Sequence, residues 1–148
     1  MHALLERFGY DTALAARDEI FRQSEQLERE AVAAISDGSY TAEGYLDNDG
    51  LGSEPVRVQV RVDVSGDRMT VDLAGSSKQT RGPVNCGFVQ TISAVRVAFK
   101  LLVSPTRPVD GGTFKTLSVT APKGALFRAQ EPAACAWYFS SLGLLIDL

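Results

Sequence analysis

Val56-Arg57-Val58-Gln59-Val60-Arg61-Val62-Asp63-Val64-Ser65-Gly66-Asp67-Arg68-Met69-Thr70-Val71-Asp72-Leu73 is the stretch on which the fold turns. Five valines occupy every second position, with arginine, glutamine and aspartate between them. Side chains of an extended chain alternate between two faces, so this spacing describes a strand with one buried and one wetted side. Ser65-Gly66-Asp67 interrupts the pattern with turn residues, and Met69, Val71 and Leu73 resume it. Two alternating runs about one short turn predict an antiparallel hairpin.

Upstream, residues 39–46 read as a further strand, joined to the hairpin by the turn-rich run Asp47-Asn48-Asp49-Gly50-Leu51-Gly52-Ser53. Before it, Leu14, Ile20, Leu27, Ala31 and Ile35 recur at helical spacing. They predict a helix that Asp11 or Thr12 caps and that runs to about Ser36. Asp37-Gly38 ends it, with Gly38 expected in the left-handed cap conformation.

Downstream, residues 88–103 predict a helix that is apolar around most of its girth apart from Arg96 and Lys100, and is therefore expected between layers. Ser104-Pro105 stops it, Asp110-Gly111-Gly112 turns the chain, and residues 114–121 form a strand with Leu117, Val119 and Ala121 inward. After the turn Pro122-Lys123-Gly124, the aromatics Trp137, Tyr138 and Phe139 and the leucines that follow suggest a buried helix. The order predicts one α+β domain over residues 1–148: an antiparallel sheet with helices packed on it. A doubly wound parallel sheet would need a regular strand–helix alternation that is missing.

The chain has 148 residues, 45% of them hydrophobic and 22% charged, which suits one globular core. A net charge of -3 and a pI near 5.1 argue against a nucleic-acid groove, which needs a basic stripe. No apolar run is long enough to span a bilayer, and residues 1–9 lack the apolar segment of a secretory signal. Cys86 and Cys135 are far apart and form no Cys-x-x-Cys; they read as reduced, partly buried thiols of a cytoplasmic protein.

The chemistry-bearing residues gather after the hairpin, in Asp72-Leu73-Ala74-Gly75-Ser76-Ser77-Lys78-Gln79-Thr80-Arg81-Gly82-Pro83-Val84-Asn85. Gly75 and Gly82 let the backbone bend closely. Ser76, Ser77, Gln79 and Asn85 carry neutral donors and acceptors, and Arg81 a planar cationic fork suited to carboxylate or phosphate. Three roles are open: buttressing its own fold with Asn85 capping the next helix, contacting another subunit or domain, or touching a ligand. The Walker pattern is not matched.

Other motifs carry less. Aligning Gly50 with the glycine of a calcium loop puts Tyr45 and Val56 at the first and last ligand positions, so Asp47-Asn48-Asp49-Gly50 is an acidic turn. Glu43 and Asp72 sit on separate strands and do not declare themselves an acid/base pair. Cys86 stands at a helix entrance, where a thiolate is favoured, but a small packed residue is the simpler reading. His2 is the only histidine.

The loop, with its flanks, resembles the hydantoinase B/oxoprolinase family. Ile35-Ser36-Asp37-Gly38-Ser39-Tyr40-Thr41-Ala42-Glu43-Gly44-Tyr45-Leu46-Asp47 is similar to that family's Leu-Pro-Asp-Gly-x-Tyr-x-Ala-Glu-x-Tyr-Leu-Asp. Pro108-Val109-Asp110-Gly111-Gly112, Ala121-Pro122-Lys123-Gly124 and Pro132-Ala133-Ala134 resemble later family blocks in the same order. One run departs: Cys135-Ala136-Trp137-Tyr138-Phe139-Ser140-Ser141 stands where the family has a polar Gly-Asn-x-Glu-Thr-Ser-like stretch.

The resemblance implies an oligomeric B-type subunit of an ATP-dependent amidohydrolase. Its hydantoinase A-type partner phosphorylates a cyclic amide, and the B-type subunit completes ring opening at a divalent metal held by histidines and aspartates. No such ligand set is visible here, so this stretch is expected to be a scaffold piece that binds neither metal nor ATP by itself. Family subunits are several times longer, and the apolar Leu142-Gly143-Leu144-Leu145-Ile146-Asp147-Leu148 lacks a stop signal, which suggests an internal piece. The aromatic departure keeps a ketone carboxylase of the acetone or acetophenone type open as a second reading. A non-catalytic assembly module is the third.

Overall fold

The computed structural model describes residues 2–148. The valine run folds as its alternation requires. Strand β2 (Val56–Ser65) and strand β3 (Arg68–Asp72) pair antiparallel, with Val62 opposite Val71 and Ser65 opposite Arg68. Gly66 makes the turn at φ 57°, a left-handed conformation that a Cβ would oppose. β1 (Gly38–Leu46) adds antiparallel on the other side of β2, with Ala42 opposite Val60.

The expected α+β fold with an antiparallel sheet holds for the first three strands, and the fourth departs from it. β4 (Leu117–Thr120) lies parallel to β3, pairing Met69 with Leu117 and Val71 with Val119. The cause is the helix between them. α3 (Phe88–Val103) carries the chain back along the sheet, so β3–α3–β4 is a crossover unit and the sheet order is simply β1-β2-β3-β4. The fold is α+β with a mostly antiparallel, open sheet.

The core forms where the inward valines meet the helices. Val56, Val58, Val60, Val71 and Leu73 pack with Ala94 and Val95 of α3, with Leu126 and Phe127 of a single 3-10 turn, and with Leu145 of α4 (Tyr138–Asp147). Val64 and Met69 join Val32 and Phe99 in a second cluster under α2 (Tyr10–Ala33).

Several helix expectations need correction. A short helix α1 (His2–Phe8) precedes α2, and Gly9 at φ 79° separates them. The α2 N-cap is Gly9, not Asp11 or Thr12. α2 ends at Ala33, and Gly38 opens β1 without a left-handed φ. Asp37 instead accepts the Gly66 amide at 2.9 Å and so fastens the hairpin turn to the helix exit. α3 has the predicted bounds but buries only Thr91, Ala94, Val95 and Phe99; Val89, Val97, Leu101 and Leu102 face outward. It covers the sheet from one side, with α2 and α4 packed alongside it, and these four side chains stay exposed. Trp137 and Phe139, expected in the core, are 69% and 73% exposed at the start of α4.

Two ties hold α2 in place. Glu28 is only 2% exposed, and its carboxylate accepts from Lys100 Nζ at 3.1 Å and from Ser104 Oγ at 2.6 Å. The Asp110-Gly111-Gly112 turn packs so closely on α2 that a Cβ on Gly112 would lie 2.0 Å from the Phe21 carbonyl oxygen. No helix among the described residues is long and apolar enough to cross a membrane.

Candidate functional site

The 75–85 loop lies in a slot between the start of β2 and the chain around the 3-10 turn, and nearly every polar group in it is engaged within the fold. Ser76 Oγ accepts the Gln59 amide and donates to the Gln59 carbonyl, both at 3.0 Å. Ser77 Oγ accepts the Arg57 amide at 2.9 Å, while its own amide donates to the Arg57 carbonyl. The pairs extend β2 by side chain and backbone together. The Gln59 side chain lies over Gly75, its Oε1 1.5 Å from where a Cβ would stand, so a larger residue there would only have to move that flexible side chain aside.

On its other flank the loop pairs with residues 124–130. Lys78 bridges antiparallel to Ala125, the Gln79 amide donates to Gly124, and Leu126 donates to Ser77. The Gln79 side chain makes a reciprocal pair with Gln130, accepting its amide at 2.8 Å and donating to its carbonyl at 3.3 Å.

Asn85 is fully buried and does not cap α3, whose N-cap is Gly87 without a side-chain bond. Its Oδ1 accepts the Thr80 amide at 2.7 Å, and its Nδ2 reaches the carbonyls of Thr80, Gly82 and Ala134 at 3.0, 2.9 and 2.9 Å. One amide side chain thus satisfies two points of the loop and fixes the approach to α4. A buried asparagine bonded through both ends of its amide is a rigid staple.

Gly82 is tied from outside by Asp49. The carboxylate accepts the Gly82 amide at 2.8 Å through Oδ2, and the Leu51 and Gly52 amides at 3.0 and 2.8 Å through Oδ1. The amides of Gly52, Leu51 and Gly82 hold its carboxyl below the usual aspartate range. In sequence Asp49 reads as part of an acidic turn; its task at the loop depends on a contact thirty-three residues away, which no local pattern announces.

These bonds turn the amides of Ser76, Ser77, Gln79, Thr80 and Gly82 inward, so the loop presents no row of free N–H groups to an anion. Arg81 is the exception among the singled-out side chains. It is exposed and has no hydrogen-bond or ion-pair partner among the described residues. The structure therefore brings Gly75, Ser76, Ser77, Gln79, Gly82 and Asn85 together as a locked unit and leaves Arg81 pointing out of it.

The other candidates separate. Glu43 on β1 pairs with Arg57, whereas Asp72 on β3 pairs with Arg61 and accepts from Thr120; β2 lies between them. Cys86 is buried, and burial, with Cys135 adding to it, pushes its thiol up to about 12, which makes it a packed residue and not a nucleophile. Cys135 is exposed and both thiols are free. A divalent metal does not fit these residues: no group of three His, Cys, Asp or Glu converges among the described residues.

Comparison with known proteins agrees with this architecture. Over 97% of its length the chain is 33% identical to a protein provisionally named as the B-type subunit of a D-/L-hydantoinase from Pseudomonas sp. (strain NS671), covering 26% of that protein. It is 28% identical to the beta subunit of caprolactamase from Pseudomonas jessenii, over 88% of this chain and 22% of the relative. Among solved structures, the ATP-dependent caprolactamase from Pseudomonas jessenii superposes with a TM-score of 0.86 and 26% identity, over 98% of this chain and 25% of that one. A nucleotide-free acetone carboxylase shares the fold at a TM-score of 0.77 and 14% identity, over 93% and 20% of the two chains. The chain spans about a quarter of the length of these relatives. The family model for hydantoinase B/oxoprolinase matches residues 1–148, and the chain belongs to that family.

Proposed function

We propose that the protein acts as the B-type subunit of an ATP-dependent cyclic amide hydrolase, and that residues 1–148 form a scaffold within it. The observation that carries this reading is the agreement of two relatives: the chain matches the B-type subunit of a hydantoinase and the beta subunit of a caprolactamase, and both names denote ring amides. The scaffold role rests on the loop itself, where the polar groups of Ser76, Ser77, Gln79 and Asn85 serve internal bonds and no metal set converges among the described residues. The divalent metal, the ATP chemistry and the A-type partner belong to the assembled enzyme in this reading. The soluble interior of the cell is its expected location.

Within that frame Arg81 is the loop's outward contact. Its side chain is the one cationic fork of the loop left free by the locking bonds, and the slot holds its backbone rigidly through Thr80 and Gly82. An Arg81→Ala variant assembled with its partner separates the roles: lost assembly marks a contact between subunits, and intact assembly with lost turnover marks a site contact.

Ring opening itself is tested by supplying hydantoin, 5-oxoproline or caprolactam with ATP to the assembled enzyme and following ADP release against ring-opened product. Product from a ketone with bicarbonate, and none from any ring amide, would replace this reading with the carboxylase one. The likeness to acetone carboxylase at 14% identity speaks for a common fold and not for that chemistry.

A further inference from the structure

Beside the locked loop lies a cavity of about 410 Å³, bounded by the acidic turn after β1, by Pro83 and Val84 at the loop exit, and by the start of α4. Its walls are fixed. Asp49 holds Gly82, the Trp137 amide donates to the Pro83 carbonyl at 2.8 Å, and Ser141 Oγ donates to the Val84 carbonyl at 2.6 Å. At its mouth Tyr45 Oη donates to Glu43 Oε1 at 3.4 Å, and the Trp137 side chain has no hydrogen-bond partner among the described residues. Trp137 and Tyr45 are 69% and 55% exposed, and Asp47 is exposed with no hydrogen-bond or ion-pair partner among the described residues. No lysine, arginine or histidine lines the cavity, although two carboxylates do.

We infer that this cavity receives an arginine side chain from another protein chain. The chemistry is complementary on each count. A guanidinium is planar, is only weakly hydrated and lies favourably against the face of tryptophan or tyrosine. Its fork of N–H donors matches the two oxygens of a free carboxylate, here Asp47. Asp49 is engaged with backbone amides but remains an anion, and so adds to the negative field of the site. That the occupant comes from a protein chain rests on the proposed reading as one component of an assembly, since both relatives are named as subunits. The aromatic run at 135–139 then has a use: Trp137 serves as a stacking wall at the mouth of the cavity.

Trp137 is the single tryptophan of the chain, so its emission reports on the cavity directly. The test titrates this protein with the peptide acetyl-Gly-Arg-Gly-amide and with the same peptide carrying citrulline, which keeps the planar shape and removes the charge. The arginine peptide is expected to change the emission saturably and the citrulline peptide to leave it flat over the same range. Asp47→Asn is expected to weaken the arginine peptide about tenfold while leaving the thermal unfolding midpoint in place. If Asp47→Asn disturbs folding, Tyr45→Leu with the same readout replaces it. A response without saturation, equal responses to the two peptides, or an Asp47→Asn protein that binds as tightly as the parent would overturn the inference. Nothing in the measurement depends on turnover, so its failure leaves the proposed hydrolase reading standing.

Discussion

The Asp49 carboxylate grips the Gly82 amide at 2.8 Å, and at that point the two backbones run so close that a Cβ on Gly82 would lie 1.8 Å from the Asp49 carbonyl oxygen. A methyl group has nowhere to go, because the obstructing atom is backbone and the acidic turn is held by its own bonds to Leu51 and Gly52. Gly82→Ala is expected to lower stability by about 1–3 kcal/mol, the usual cost of forcing atoms into filled space. Gly143→Ala is the matching control. It sits in α4 with nothing within 4 Å of the added carbon. There the methyl group should raise stability by about 0.5–1 kcal/mol through better helix propensity. Urea unfolding of the parent and the two variants measures both signs in one experiment.

Asn85 offers a sharper test of the lock, since its two Nδ2 hydrogens are shared among three carbonyls within 3.0 Å and its Oδ1 accepts from Thr80. Asn85→Asp preserves shape and removes the donor, placing a carboxylate against those carbonyl oxygens in a fully buried position. The expected loss is about 3–5 kcal/mol, as for other buried charges left without a partner. Gln79→Ala, whose pair with Gln130 lies at the surface, should lose about 1 kcal/mol by comparison. Hydrogen exchange should show the damage reaching the Thr80 and Gly82 amides in Asn85→Asp before β2 is affected.

The difference between those two residues also marks how far the sequence can be read. Period-two valines and the Ser65-Gly66-Asp67 turn dictate the hairpin locally, and the structure follows them residue for residue. The direction of β4 is not legible, because it depends on which way a sixteen-residue helix returns the chain and not on any residue of the strand. The helices depart from expectation for a related reason. Apolar content all round α3 implies burial on every side, yet Val89, Val97, Leu101 and Leu102 stay exposed, and periodicity alone cannot say which apolar face meets the sheet. In the loop, the choice of residue types is visible but their partners are not. Asn85 reads as a cap by position and becomes a staple only because Thr80, Gly82 and Ala134 converge on it.

The two thiols should behave oppositely. Cys135 is exposed and Cys86 buried, so a thiol reagent at neutral pH should modify one cysteine in the native protein and two in denaturant. Burial, with Cys135 nearby, raises the Cys86 thiol from its ordinary 9.0 to about 12. The sign follows from linkage. Below 9.0 both states keep the proton; above it the unfolded chain releases it while the folded one retains it until about 12. This contribution to stability is therefore full below 9.0 and lost as pH rises through that window. Cys86→Ala removes it, so the stability difference between parent and variant should shrink as pH is raised from 8 toward 11, about the range the reagent and unfolding measurements can span.

α2 buries a charge against α3. Glu28 has almost no exposed surface, Lys100 is 13% exposed in its side chain, and the single Ser104 O–H sits 2.6 and 2.7 Å from the two carboxylate oxygens. Removing Lys100 alone leaves that carboxylate with one neutral donor in a dry setting. Lys100→Met should therefore cost about 3–5 kcal/mol. Replacing both groups removes the stranded charge together with its partner, so Glu28→Met combined with Lys100→Met should cost clearly less than the two single changes summed. A double-mutant cycle by chemical denaturation reads this directly. Additive losses would mean that Lys100 and Glu28 do not feel each other and that Ser104 alone satisfies the carboxylate. Strong coupling would place this ion pair, and not the apolar contacts of Val32 and Phe99 alone, at the joint that sets how α2 lies on the sheet.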